Sequence, residues 1–454
     1  MPCDDQATLA ALTRVRNTPA ERFIADARLN LPLPVLGAMD RLRGGAAAYS
    51  GRNVMVRTSG QLAAVLAMLA LDGIAHRLLL CPPDVPDAQI PGLMKDGAAE
   101  IMLTDADICL DPRVPTPPDG GALRRFDTEW VLFTSGTSGV PKLVLHSFAS
   151  LTAPLRDGPA GDHAVWSTFY DIRRYGGLQI LLRALIGGGS MLLSEASEPV
   201  ASFLSRLGEA GVTHISGTPS HWRRALMSGA SGRMAPRYVR LSGEMAGQDI
   251  LDRLHASYPE AKIGHAYAST EAGLAFSVDD GLAGFPAAVL DAQAPCPAVR
   301  IVDGTLRIRS RATALSYLGQ APRALADAAG FVDTGDVVER DGARYVFAGR
   351  REGVVNVGGQ KVHPEEVEAA INRHPAVAMS RVWGRPSPIT GTLIAADIVL
   401  APCAGSEKRD FSSIRDEITE SCRAMLAPHK VPVRLIEVAN IQVTTSGKIE
   451  RRHA

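Results

Sequence analysis

From residue 53 to residue 267 the sequence repeats one pattern: a short apolar run, then a stretch whose apolar residues fall at helical spacing. Residues 53–57 read as a strand, and residues 60–73 carry Leu62, Val65, Leu66 and Leu69 along one helical face. Further strands are predicted at 77–80, 100–103, 130–133, 212–216, 238–242 and 262–267, with helices at 86–97 and 202–210. Strands separated by helices imply an open, largely parallel α/β sheet. A Pro-rich connector at 112–121 interrupts the alternation.

The pattern changes near Val299. Short alternating strands follow, and Asp303-Gly304 and Asp341-Gly342 are strong hairpin signals. After Gly349-Arg350 it changes again. His363-Pro364-Glu365-Glu366 opens a helix with proline near the first turn and acids at its positive end. Apolar runs at 377–383 and 393–400, a helix at 410–425 and an irregular tail from Pro428 complete the chain. The fold class expected is α/β: a large N-terminal body of stacked, mostly parallel sheets with a β-rich subdomain, over 1–350, then a small α+β C-terminal domain over 351–454.

Lys+Arg and Asp+Glu both number 48, so nothing global favours nucleic acid or an anionic membrane. Six cysteines without C-x-x-C spacing make no zinc or disulfide framework and read as free thiols. The first residues lack an apolar signal core, and no apolar run is long enough to span a bilayer. A soluble cytoplasmic protein is expected. The 43 glycines and 30 prolines point to many turns, including places where backbone approaches a ligand.

The segment richest in chemistry follows the apolar run Trp130–Phe133. It reads Thr134-Ser135-Gly136-Thr137-Ser138-Gly139-Val140-Pro141-Lys142. Glycines let backbone N–H groups turn inward, hydroxyls add donors, and the lysine adds charge, an inventory suited to a polyphosphate. It is not a Walker loop: the spacing differs, and residues 143–146 read as a strand where that loop would start a helix.

Here the residues carry a resemblance. This segment is similar to the phosphate loop of the AMP-forming acyl/aryl-CoA synthetase family, which includes peptide-synthetase adenylation domains and luciferases. Later segments follow in family order. Ser242-Gly243-Glu244 resembles the turn beside the adenine and acyl pocket. Tyr267-Ala268-Ser269-Thr270-Glu271 resembles the Tyr-Gly-x-Thr-Glu segment, with alanine in place of its glycine. Thr334-Gly335-Asp336 resembles the ribose-binding segment. Gly349-Arg350-Arg351-Glu352 resembles the hinge, with glutamate where aspartate is usual. The stretch from Gly358-Gly359 to Glu368 resembles the glycine strand and helix after the hinge, and Thr445–Ile449 resembles the catalytic-lysine loop.

The resemblance implies roles. Thr134 to Lys142 would hold the β- and γ-phosphates, Tyr267 would pack on adenine, and Gly243 with Glu244 would border the nucleotide. Asp336 and Arg350 would fix the ribose. Thr270 would meet phosphate, Glu271 would help bind Mg²⁺, and Lys448 would be catalytic. Gly358 and Gly359 would line the pantetheine path, and Glu352 would mark the hinge of a mobile C-terminal domain. The implied activity converts a carboxylic acid and ATP to an acyl-adenylate and pyrophosphate, then transfers the acyl group to a thiol, with coenzyme A preferred. Alternatives are an enzyme that loads a carrier-protein pantetheine and a decayed adenylate-binding protein. In the acyl-pocket segment Phe169, Tyr170 and Arg173 are all candidates, and Arg173-Arg174 either faces an anionic ligand or is a solvated pair. The short stretch before the phosphate loop suggests a trimmed N-terminal subdomain.

Overall fold

The computed structural model describes residues 9, 22–33, 41–110, 125–134, 140–155, 164–291, 297–319, 324–388, 391–402 and 410–451. The connector at 112–121 lies outside them.

The alternating half of the chain builds two sheets. One has six strands, in the order Ser316–Leu318, Lys142–Ser147, Glu129–Thr134, Arg77–Leu80, Asn53–Val56 and Ile101–Leu103. Its last four are mutually parallel and its first two antiparallel. The other has eight, in the order Gly273–Val278, Lys262–Ser269, Tyr238–Ser242, His214–Gly217, Val165–Thr168, Ser190–Leu192, Phe23–Ala25 and Asn30–Pro32. Only its two outer pairs are antiparallel.

One shared core joins the two sheets. It contains Val54, Leu78 and Trp130 from the first sheet, Met191 from the second, and the helices Gln61–Leu71 and Tyr175–Gly187. Ten of the eleven residues of Gln61–Leu71 are buried, so this helix is covered on every side. That explains its sequence, which is apolar all round rather than striped. The outer face of the eight-stranded sheet is covered by the helices Val200–Glu209, Pro219–Met227 and Gln248–Ser257, packed around Trp222.

The β-rich region is a five-stranded antiparallel sheet in the order Phe285–Pro286, Arg344–Arg350, Val332–Asp341, Thr305–Arg309 and Ala298–Val302. Asp303 and Gly304 both take positive φ, 51° and 71°, the geometry of a two-residue hairpin turn. Past Arg350 a separate core forms around Val362, Val367, Ile371, Val382, Ile398 and Ile418. Its three-stranded sheet pairs Val377–Ser387 with Gly391–Leu400 and then with Arg434–Glu437. The tail read as irregular from Pro428 therefore supplies a parallel strand. Its Leu435 alternates inward, but four residues are too few for a period to announce itself. The helix and strand at 175–192 were likewise not anticipated. Among the described residues no helix is long and apolar enough to cross a membrane.

Inside this last core Arg381 and Asp397 face each other across the sheet and pair at 2.6 Å, both nearly inaccessible. Trp383 Nε1 donates to the second Asp397 oxygen at 3.2 Å. Removing one partner of a buried pair leaves an uncompensated charge. Asp397→Ala is expected to lower stability by roughly 3–5 kcal/mol, measured by urea unfolding. A loss below about 1 kcal/mol, the scale of an exposed pair, would show that this pair is solvated in solution.

Candidate functional site

In the eight-stranded sheet the parallel strands ending at Thr168, Gly217, Ser242 and Ser269 finish on one edge, where α/β proteins place ligands. Four segments follow them: Phe169-Tyr170, Thr218 with its helix, Gly243-Glu244, and Thr270-Glu271.

The helix Pro219–Met227 begins tightly. Thr218 caps it by accepting from His221 N at 3.0 Å, and Pro219 occupies the first turn. Thr218 N donates to His221 Nδ1 at 3.2 Å, so the ring carries its proton on Nε2. Burial pulls the His221 pKa down to about 3, which keeps the ring neutral. It stacks on Phe169 with centroids 5.2 Å apart.

Lys448 reaches this edge from the chain's last segment. Its Cε lies 3.8 Å from where a Cβ on Gly243 would sit, and Gly243 has φ +85°. A side chain at 243 would therefore be strained by its backbone conformation, while the lysine lies at ordinary contact distance. Lys448 keeps much of its surface open. Even so, desolvation at its ammonium and then the charge of Arg350 lower its pKa, against the opposing pull of Glu244, Asp336 and Glu271. One lysine, one arginine and three carboxylates thus share one small region.

The remaining expected residues sit around it. Thr134 and Lys142 pair across adjacent antiparallel strands, while Ser135, Gly136, Thr137, Ser138 and Gly139 between them lie outside the described residues. Asp336 and Arg350 are register partners, with Arg350 Nε 3.2 Å from Asp336 Oδ1. The Tyr267 hydroxyl donates to the other Asp336 oxygen, and its ring stacks against Phe347 at 5.3 Å. Gly358 and Gly359 form the exposed tip of the hairpin Val355–Val357/Gln360–Val362, with φ +57° and +86° and open space beside both. They are not among the groups gathered around Lys448. Glu352 stands exposed in the short turn Arg351–Gly353.

Several residues at the site were not anticipated. Tyr317 donates its hydroxyl to Glu271 Oε1 at 3.2 Å, while Lys142 Nζ lies 5.7 Å from the centre of its ring. This one side chain therefore lies between Lys142 and the Thr-Glu segment. His146 Nε2 donates to the Thr270 carbonyl at 2.8 Å and ties that segment to the strand after the loop. Only Thr218-Pro219, a cap followed by a first-turn proline, left a readable signal. Two expectations need correction. Arg173 is neither solvated nor turned to a ligand: it is buried, paired with Asp171 at 2.6 Å and bonded to Thr58. Arg174 is held by Asp84 at 2.7 Å.

A magnesium ion would find one carboxylate here, Glu271, with Oε1 accepting from Tyr317 and Oε2 left to bind. One carboxylate leaves most positions to water and substrate phosphate, as Mg²⁺ prefers.

His146 also makes the site acid-sensitive. Burial drops its pKa from 6.5 to about 4. Below pH 6.5 the unfolded chain binds a proton there that the folded chain refuses until about pH 4. Stability should therefore fall as pH drops through this window, by up to roughly 3 kcal/mol from this residue. Urea unfolding from pH 7 to pH 4 should show a shallower decline in His146→Gln than in the wild type. Parallel declines would mean that the ring titrates normally.

Comparison with known proteins gives a consistent picture. The family model described as AMP-binding enzyme matches residues 41–318, and that described as AMP-binding enzyme C-terminal domain matches residues 366–448. The mitochondrial acyl-coenzyme A synthetase ACSM1 of Homo sapiens is 38% identical over 123 residues, which is 27% of this chain and 21% of that enzyme. The 2-succinylbenzoate–CoA ligase of Salmonella typhimurium is 26% identical over 431 residues, 91% of this chain and 90% of that one. A solved structure of a variant of E. coli MenE with bound OSB-AMS superposes with a TM-score of 0.75 at 23% identity, covering 92% of this chain and 93% of the other.

Proposed function

The chain belongs to the AMP-binding enzyme family, and from that premise we propose that it activates a carboxylic acid with ATP and passes the acyl group to a thiol, coenzyme A. The observation that carries this reading is the convergence of Lys448 with Glu271, Asp336 and Arg350 beside Gly243. The names of the human and Salmonella relatives, both coenzyme A ligases, support the choice of thiol.

A carboxylate is a poor acyl donor because its leaving group would be oxide. Attack of its oxygen on the α-phosphorus of ATP forms a mixed anhydride with AMP and breaks the bond to pyrophosphate. Negative charge grows on the transferring phosphoryl and on the leaving group, so placed positive charge supplies most of the catalysis. Lys448 takes the α-phosphate and the attacking carboxylate. The loop from Thr134 to Lys142, with Ser135, Gly136, Thr137, Ser138 and Gly139, takes the β- and γ-phosphates. Asp336 and Arg350 hold the ribose, Tyr267 borders the adenine, and Thr270 meets phosphate. A Mg²⁺ held by Glu271 would neutralise phosphate charge. Tyr317 holds one oxygen of that carboxylate by its hydroxyl.

In the second step the thiol sulfur attacks the acyl carbon, forming the thioester and expelling AMP. We assign the division of the chain to Arg350/Arg351, with Glu352 at the hinge. The tip Gly358-Gly359 then borders the path of the pantetheine arm once Lys448 has withdrawn.

Wild-type protein should support acid-dependent ATP–pyrophosphate exchange with members of a carboxylic acid panel. Lys448→Ala should lose about 10²–10³-fold, and near wild-type exchange in that variant would overturn the assignment. Consumption of free coenzyme A with the same acid supports a coenzyme A ligase. Exchange without thiol consumption would instead indicate a carrier-protein acceptor.

A further inference from the structure

We propose that Glu244, expected from the sequence to border the nucleotide, is a positioning residue that docks the Lys448 loop on the body during acid activation and plays no part in thioester formation. This rests on the function proposed above.

Both oxygens of the Glu244 carboxylate are committed to backbone N–H groups. One accepts from Ser220 N at 2.9 Å, in the first turn of Pro219–Met227, where helix donors lack intrahelical partners. The other accepts from Ile449 N at 3.0 Å, 205 residues away in sequence. On the far side of Lys448, Thr218 Oγ1 donates to the carbonyl of Gly447. The peptide groups on either side of the lysine are therefore each fixed by a side chain of the body. Gly447 takes φ +78°, and a Cβ there would fall 1.8 Å from His221 Cε1, so the loop lies flat against that ring.

The loop's other anchor is independent. Arg451 is clamped by Glu365 and Glu368 of the helix Pro364–Asn372, within the C-terminal core. Loss of Glu244 would therefore leave the loop attached to its own core and the Thr218 cap intact, while removing the bond that aims Lys448.

Glu244→Gln is nearly isosteric but replaces one accepting oxygen with a donor, which faces an N–H. Hydrogen exchange across residues 444–451 should become faster in this variant at an unchanged melting temperature. In pyrophosphate exchange kcat should fall roughly 10- to 100-fold, the scale of losing a hydrogen bond to a charged group, while the KM for ATP stays within about threefold. Thioester formation from supplied acyl-adenylate should match wild type, and Glu244→Asp should fall between the two. A rise in KM for ATP as large as the fall in kcat would make Glu244 a nucleotide ligand and overturn the proposal. Equal loss of both half-reactions, or unchanged hydrogen exchange at 444–451, would overturn it as well. If wild-type protein exchanges pyrophosphate with no acid, the functional reading fails by itself, and hydrogen exchange still decides whether Glu244 docks the loop.

Discussion

An ammonium group placed beside a guanidinium is the constraint around which this molecule is arranged. Lys448 and Arg350 repel each other, and partial desolvation of the ammonium adds to the cost of its charge although the side chain stays open to solvent. Three carboxylates, from Glu244, Glu271 and Asp336, offset that repulsion. They come from the end of one parallel strand, the end of its neighbour, and a hairpin of the β-rich sheet. No short stretch of chain could supply them all. The large body is the framework that holds them in place, and the lysine has to be delivered from a different core.

Delivery explains features that would otherwise look unrelated. Glycine is favoured at 243 because the backbone there takes φ +85°, and is required at 447 because the loop lies on the His221 ring. His221 must stay neutral, and its burial with Nδ1 committed to the Thr218 N–H ensures that. Tyr317 and His146 brace the Thr-Glu segment from two strands of the other sheet. The Thr-Glu segment is thus tied across the seam between the sheets.

Much of this was legible in the sequence, for physical reasons. The parallel strands show as apolar runs because both faces are buried. Residues 143–146 read as a strand, and they lie within Lys142–Ser147, paired antiparallel with Glu129–Thr134. Asp336 and Arg350 were brought together only by the family resemblance, and they are register partners. What stayed hidden depends on contacts between distant residues. Nothing near Tyr317 marks it as the partner of Glu271, and nothing near Glu244 points to Ile449. Arg173-Arg174 suggested charge facing outward, yet Asp171 and Asp84 absorb it. The helix Gln61–Leu71 was readable as a helix, but its place between two sheets shows only in how completely it is buried.

On the proposed function, this constellation breaks ATP at the α-phosphorus. That cleavage is tested most directly by incubating the full chain with α-labelled ATP, Mg²⁺ and a reactive acid, then identifying the labelled product. Labelled AMP, formed in step with pyrophosphate and only when acid is present, is expected. Labelled ADP with inorganic phosphate, or AMP formed at the same rate without acid, would contradict it.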